Sequence, residues 1–163
     1  VSAPSASTPS ASTLRLAARD GFALGATLYE AAAATGEPRP LALIAPATGV
    51  LRRLYQPFAS FLAGAGFDVL TWDWRGTGDS RPPSLRGFAA TMTDWAALDF
   101  AGALDWAAAH AGERPLLAVG HSFGGQALGL VADDAPASLA AAVTVAAQSG
   151  YWGRWPSPQR YYY

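Results

Sequence analysis

Residues 116–130, LLAVGHSFGGQALGL, constrain this chain more tightly than any other stretch. A short apolar run, of the kind found in strands buried on both faces, leads into Gly120-His121-Ser122-Phe123-Gly124, and an Ala/Leu-rich stretch follows. A strand that hands over to a helix across so few residues belongs to a layered α/β sheet. The pattern Gly-x-Ser-x-Gly arises by chance roughly once in eight chains of this glycine and serine content, so its flanks must carry any meaning. A strand-to-helix turn this tight holds its central residue in a strained backbone conformation and pushes that side chain into the open. Positions two before and two after the serine then lie so close that glycine is needed. The helix that follows aims its N-terminal amides at any anion forming on the serine. Ser122 is therefore the candidate nucleophile of an acyl-transfer site. The plainer reading is a glycine-rich turn with an incidental serine.

The rest of the chain repeats the alternation of strand and helix. Leu14 and Leu16, then Phe22, Leu24, Ala26 and Leu28, alternate around Arg19-Asp20-Gly21, a hairpin-turn signal. LALIAP at 41–46 and FDVLTWDW at 67–74 read as further strands. Phe58, Phe61 and Leu62 lie between them at helical spacing, with Gly-Ala-Gly as the stop. Residues 75–94 are loop-like until Thr93 or Asp94 caps a helix with Trp95, Leu98 and Gly102 on one face. Strands are expected near 14–19, 22–29, 41–46, 67–72, 115–120 and 141–147, and helices near 54–64, 93–110 and 123–133, with ends good to about two to four residues. Two antiparallel strands followed by strand–helix alternation give a mostly parallel α/β sheet flanked by helices. Residues 31–40 read as a loop, and residues 1–12, VSAPSASTPSAS, as a leader without fixed structure.

Composition narrows the partners. A chain of 163 residues, 51% hydrophobic and 14% charged, is one domain with enough apolar surface for a core. Its net charge is −1 and it has no basic block, which argues against nucleic acid or an anionic membrane surface as partner. It has no cysteine, which excludes disulfides and thiolate metal sites, and no cofactor or metal is expected. No apolar run is long enough to span a bilayer, and the N-terminus lacks the charged and apolar regions of a signal peptide. The cytoplasm is the default expectation. All eleven cationic side chains are arginine, which together with the many alanines reads as a GC-rich coding bias.

A nucleophilic serine in this setting needs a second oxyanion donor from the loop after an earlier strand. APATGV at 45–50 is that loop, with the amides of Ala47 or Thr48 as candidates beside Phe123 N–H; a mere turn is the alternative. GHSFGG at 120–125, WDWRGTGDS at 72–80 and the order of the elements together resemble the α/β-hydrolase superfamily. The second motif is similar to the Asp-x-Arg-Gly-x-Gly-x-Ser loop of its lysophospholipase and serine-aminopeptidase-like branches. The resemblance covers about residues 13–160. It implies a serine hydrolase that cleaves a carboxylic ester or related acyl bond of a small-molecule or lipid-like substrate through an acyl-enzyme on Ser122. Arg75 and Asp79 would tie down their loop near the site, with His121 supporting it from beside the serine. Pro46-Ala47 stands where many relatives have His-Gly. Gly76-x-Gly78 also invites a dinucleotide reading, but the third glycine is missing and Arg-Pro-Pro-Ser follows where a helix would have to begin.

A serine hydroxyl needs a base, and the base an orienting carboxylate, which in this superfamily follow in the order serine, acid, histidine. The chain has two histidines. His110 ends the helix before the Ser122 strand, which places it at the opposite edge of the sheet. His121 adjoins the serine, but consecutive residues of such a turn point apart. After Ser122 come only Asp133 and Asp134 as carboxylates, and no histidine. About six strands are accounted for where the family fold has about eight, and YWGRWPSPQRYYY falls where relatives commonly carry a lid. The expectation is that residues 13–163 form the N-terminal part of an α/β-hydrolase domain, inactive as this chain. The uncharged edge LAAAVTVAAQ at 139–148 would then invite self-association. From another functional class, a non-catalytic α/β-hydrolase-like module would use its pocket or edge for binding.

Overall fold

The computed structural model describes residues 10–31 and 39–148. Among them six strands form one sheet: β1 (Ser10–Ala17), β2 (Ala23–Glu30), β3 (Leu41–Ala45), β4 (Asp68–Trp72), β5 (Leu116–His121) and β6 (Leu139–Val145). Their spatial order is β1-β2-β4-β3-β5-β6. The hairpin β1–β2 and the pair β2–β4 are antiparallel, whereas β4, β3, β5 and β6 run parallel. Helical crossovers link the parallel strands, as their direction requires.

The helices follow local signals. A 3₁₀ turn, Arg52–Tyr55, leads into α1 (Gln56–Gly64), whose first turn takes Pro57 without losing a hydrogen bond. Thr91 and Asp94 form a reciprocal capping box that starts α2 (Met92–Asp94). The helix then widens to π geometry over Trp95–Phe100 before α3 (Ala101–Ala111), a widening that 3.6-residue periodicity does not reveal. The last helix, α4 (Phe123–Leu130), begins directly after Ser122.

Alternate residues of the central strands feed two cores. Leu41, Leu43 and Ala45 join Trp72, Trp74, Phe100 and Leu104 under α3 and α4. Ala42 and Ile44 join Tyr29, Val69, Ala59 and Ala63 under α1. Burial on both faces is why β3 reads as an unbroken apolar run, and β4 shares that burial with Asp68 and Thr71 hydrogen-bonded inside it. Each fully buried large aliphatic side chain contributes about 1.5–3 kcal/mol.

The sequence reading needs two corrections. The helix expected to be capped by Thr93 or Asp94 is capped by Thr91, because Thr91 Oγ1 accepts from Asp94 N–H at 3.1 Å and the Asp94 side chain closes the box in return. Residues 10–12, assigned to an unstructured leader, belong to β1, where Ser10 pairs with Glu30 and Ser12 with Leu28. An edge strand with exposed faces tolerates serine and alanine, and the partner strand supplies the order that composition does not. Residues 1–9, most of the expected 31–40 loop and the aromatic stretch after Gly150 lie outside the described residues. None of the helices described is long and apolar enough to cross a membrane.

The topology gathers three loops at one edge. β3, β4 and β5 are parallel neighbours, and Ala45 pairs with Gly120, so loops 46–50 and 73–80 and the Ser122 turn leave the sheet together. Open α/β sheets bind their ligands beyond these carboxyl ends.

Candidate functional site

Ser122 has φ 51° and ψ −114°, a conformation rarely adopted by a side-chain-bearing residue. The surrounding structure holds it there. Ser122 N–H donates to Val145 O of the neighbouring strand at 2.8 Å, and Ser122 O accepts from Gly125 N–H at 3.0 Å and Gln126 N–H at 3.2 Å. Glycine is required on both sides. A Cβ on Gly120 would stand 2.5 Å from Gly125 Cα, and one on Gly124 would collide with Ala45 O of β3. The half-buried serine thus sits at the N-terminus of α4, whose partial positive charge favours an anion. As the first residue of that helix, Phe123 has no carbonyl a turn behind it for its N–H to reach.

The loop after β3 supplies the opposite wall. Ala47 N–H, one of the two expected donors, is engaged: it donates to Tyr55 Oη at 2.9 Å. Thr48 is exposed, and among the described residues its N–H makes no hydrogen bond. Of the pair named from sequence, Thr48 is therefore the amide left available. Tyr55 Oη also hydrogen-bonds His121 Nδ1 at 2.9 Å, and burial pushes its phenol above the usual value. Trp74 Nε1 donates to Pro46 O at 3.1 Å. Its ring stacks on Trp95 at 5.7 Å and meets Phe123 edge-on at 5.6 Å, so an aromatic group backs the turn.

The 73–80 loop is fastened by ions. Buried Asp73 accepts from Arg52 N–H at 2.8 Å, from the Arg52 guanidinium and from Asp79 N–H at 3.0 Å. Asp79 takes the other end of Arg52, and the guanidinium holds its carboxyl below the ordinary carboxylate range. Arg75 turns elsewhere: it bonds Asp99 in α2–α3's π segment through N–H and Nε, and Asp20 of the hairpin turn through both terminal nitrogens. None of its hydrogen-bond partners belongs to the Ser122 turn or to loop 46–50. Asp79 reaches the site only through Arg52, which follows that loop.

His121 meets Tyr55, and His110 stacks on Trp106 near the amino end of β5, a strand's length from Ser122. The sequence reading passed over Tyr55 and Arg52, and took Asp73 and Trp74 only as part of the 72–80 motif. The signal for Asp73 was present: an acid in an apolar strand must find a partner, and Arg52 and Arg53 were the cations in the adjoining loop. Nothing comparable marked Tyr55. Among the described residues no three His, Cys, Asp or Glu side chains are grouped to hold a metal ion.

Known structures share this architecture. A hypothetical protein from Pseudomonas aeruginosa is 25% identical with a TM-score of 0.70, over 86% of this chain and 44% of its own. A thermostable carboxyl esterase from Bacillus coagulans is 19% identical with a TM-score of 0.66, over 83% of this chain and 44% of its own. An α/β serine hydrolase without a lid from Xanthomonas campestris is 18% identical with a TM-score of 0.66, over 90% and 64% respectively. The chain thus spans less than half the length of the first two. No curated protein matches it. The fold is that of the α/β hydrolases, with the sheet not closed, and the profile of the serine aminopeptidase S33 family matches residues 36–161. With well over half its length matched, this chain belongs to the serine aminopeptidase S33 family of hydrolases.

Proposed function

We propose that this chain carries the nucleophilic half of a serine hydrolase acting on a carboxylic ester or related acyl bond of a small-molecule or lipid-like substrate. One observation carries the reading: Ser122 stands at φ 51° between a strand end and a helix start, the geometry of a nucleophile elbow. Ser122 Oγ attacks the acyl carbon, its proton passes to a base, and the carbonyl electron pair moves onto oxygen. Phe123 N–H and Thr48 N–H stabilise that oxyanion, a pair worth several kcal/mol of barrier. Collapse expels the alcohol, which takes the proton, and water releases the acid by the same steps in reverse.

We place the base outside these 163 residues. Nothing after Ser122 is a histidine, and His121 Nδ1 is occupied by Tyr55. In the superfamily order of serine, acid and histidine both partners follow Ser122, and this chain covers 44% of two of the solved structures that it resembles. The test compares residues 1–163 with a chain extended through a later acid and histidine, using p-nitrophenyl esters and a fluorophosphonate label. The short chain should show neither turnover nor rapid labelling. The extended chain should show both, and Ser122→Ala should lower its rate by several powers of ten. Rapid labelling of the short chain at Ser122 would mean that His110 or His121 acts as base. An extended chain without hydrolysis or labelling would favour the non-catalytic binding module.

A further inference from the structure

We propose that Trp74 and Tyr55 are positioning residues that aim the Thr48 amide at the oxyanion, by pinning the Pro46–Ala47 peptide at both ends. The proposal rests on the reading of Ser122 as nucleophile. A trans peptide points its carbonyl and its N–H to opposite sides of one rigid plane. Here Pro46 O accepts from Trp74 Nε1 at 3.1 Å, and Ala47 N–H, the other end of that plane, donates to Tyr55 Oη at 2.9 Å. Two side chains from different parts of the chain therefore fix its rotation. The next plane is fixed as well. Ala47 O accepts from Val50 N–H at 3.2 Å, closing a turn whose third residue, Gly49, has the φ of 70° that such turns need. With its carbonyl held there, the Ala47–Thr48 peptide presents Thr48 N–H on the opposite side, where no acceptor among the described residues meets it.

The holding groups are themselves held. Trp74 is fully buried and packs between Trp72, Trp95 and Phe123, so its indole N–H cannot swing away from Pro46. Tyr55 accepts from Ala47, which leaves its own O–H to donate to His121 Nδ1 when that ring carries its proton on Nε2. His121 is the last residue of β5, two before Phe123. Tyr55 thus ties the loop that bears one donor to the strand end that bears the other and sets their separation. Preorganised donors stabilise an oxyanion because they need no rearrangement when charge develops.

Hydrogen–deuterium exchange on the chain carrying residues 1–163 tests the pinning without any chemistry. In the wild type, Ala47 and Val50 amides exchange slowly and Thr48 exchanges fast. Tyr55→Phe keeps the ring but removes the acceptor, and should speed Ala47 exchange about five- to tenfold. Trp74→Phe should speed it too, while Leu43 and Val119 in the central strands stay protected in both variants. Unaltered Ala47 exchange in Tyr55→Phe, against a protected sheet, overturns the proposal. In any form of the protein with Ser122-dependent esterase activity, both variants should lower kcat about tenfold with KM unchanged. A rise in KM at constant kcat would overturn the positioning role. Hydrolysis that survives Ser122→Ala would instead strike the nucleophile reading, so the two failures are told apart.

Discussion

β3 and β6 flank the same strand, β5, one on either side, and both pair with it in parallel. As sequences they are alike: LALIA and LAAAVTV are short, apolar and uncharged. Their surroundings are opposite. Every residue of β3 is buried, between β4 on its far side, α1 on one face and α3 and α4 on the other. Every residue of β6 after Leu139 is exposed, and Val143 and Val145 keep 55% and 49% of their surface. Open apolar grooves of about 290 and 360 Å³ run along its two faces, one reaching Phe58 and Val119, the other Leu128 and Val131. An apolar pattern states a demand for cover. It does not say which part of a chain, or which chain, meets that demand.

The largest effects are expected on the covered side. Asp99 and Leu43 are both fully buried. Asp99→Ala would strip Arg75 of its buried counter-charge and should cost about 3–5 kcal/mol. Leu43→Ala removes a side chain that nothing can replace and should cost about 2–5 kcal/mol. Val143→Ala, in the uncovered strand, should cost about 0.5 kcal/mol or less. Urea midpoints at constant slope measure all three. If Val143→Ala approaches Leu43→Ala, then β6 is covered in solution and the contrast between the strands disappears.

Association sharpens the comparison next. We expect the 163-residue chain to self-associate through β6, which is uncharged and lies at the edge of the sheet among the described residues, since such an edge is a template for another strand. Light scattering should show a mass that rises with concentration. Val143→Lys should shift it toward the monomer with no change in circular dichroism, because the position is exposed and a lysine blocks edge pairing. A wild-type monomer at all concentrations would break this half of the argument.

These two strands also show what the sequence disclosed. The parallel core was legible, because burial leaves an unbroken apolar run at 41–45 and strongly apolar stretches at 69–72 and 116–119. The Ser122 turn was legible too, since its glycines are imposed by contacts with Gly125 and Ala45 that no Cβ can share. The start of β1 was hidden, because an exposed edge strand carries no hydrophobic mark and is defined by its partner. The split between Ala47 and Thr48 was hidden for another reason. It depends on Tyr55 folding back onto the loop from the start of α1, a contact between one hydroxyl and one amide that leaves no periodic trace.

The last contrast between the two sides is a pH dependence confined to the covered side. Asp20 and Asp99 share one guanidinium, Arg75, so the cluster holds two carboxylates against one cation. Burial pushes the Asp99 carboxyl up from its ordinary value of 3.8 to about 6, against the pull of the Arg75 hydrogen bonds. The Arg75 hydrogen bonds hold the more open Asp20 below its ordinary value. The two therefore act in different windows. Between pH 3.8 and about 6 the folded chain retains a proton on Asp99 that the unfolded chain has lost, so stability falls as pH rises through this range. Asp20 contributes stability above its ordinary pKa and loses it only as pH falls further. Acid should therefore first strengthen and then weaken the fold. Asp99→Asn should remove the slope between pH 4 and 6 while leaving the decline at lower pH in place. β6 carries no titratable side chain, so exchange of its amides, corrected for the intrinsic rate, should stay level while α3 and the 73–80 loop respond. An equal response in both regions would mean that β6 opens only when the whole sheet does, and that the edge is as firmly built as the centre.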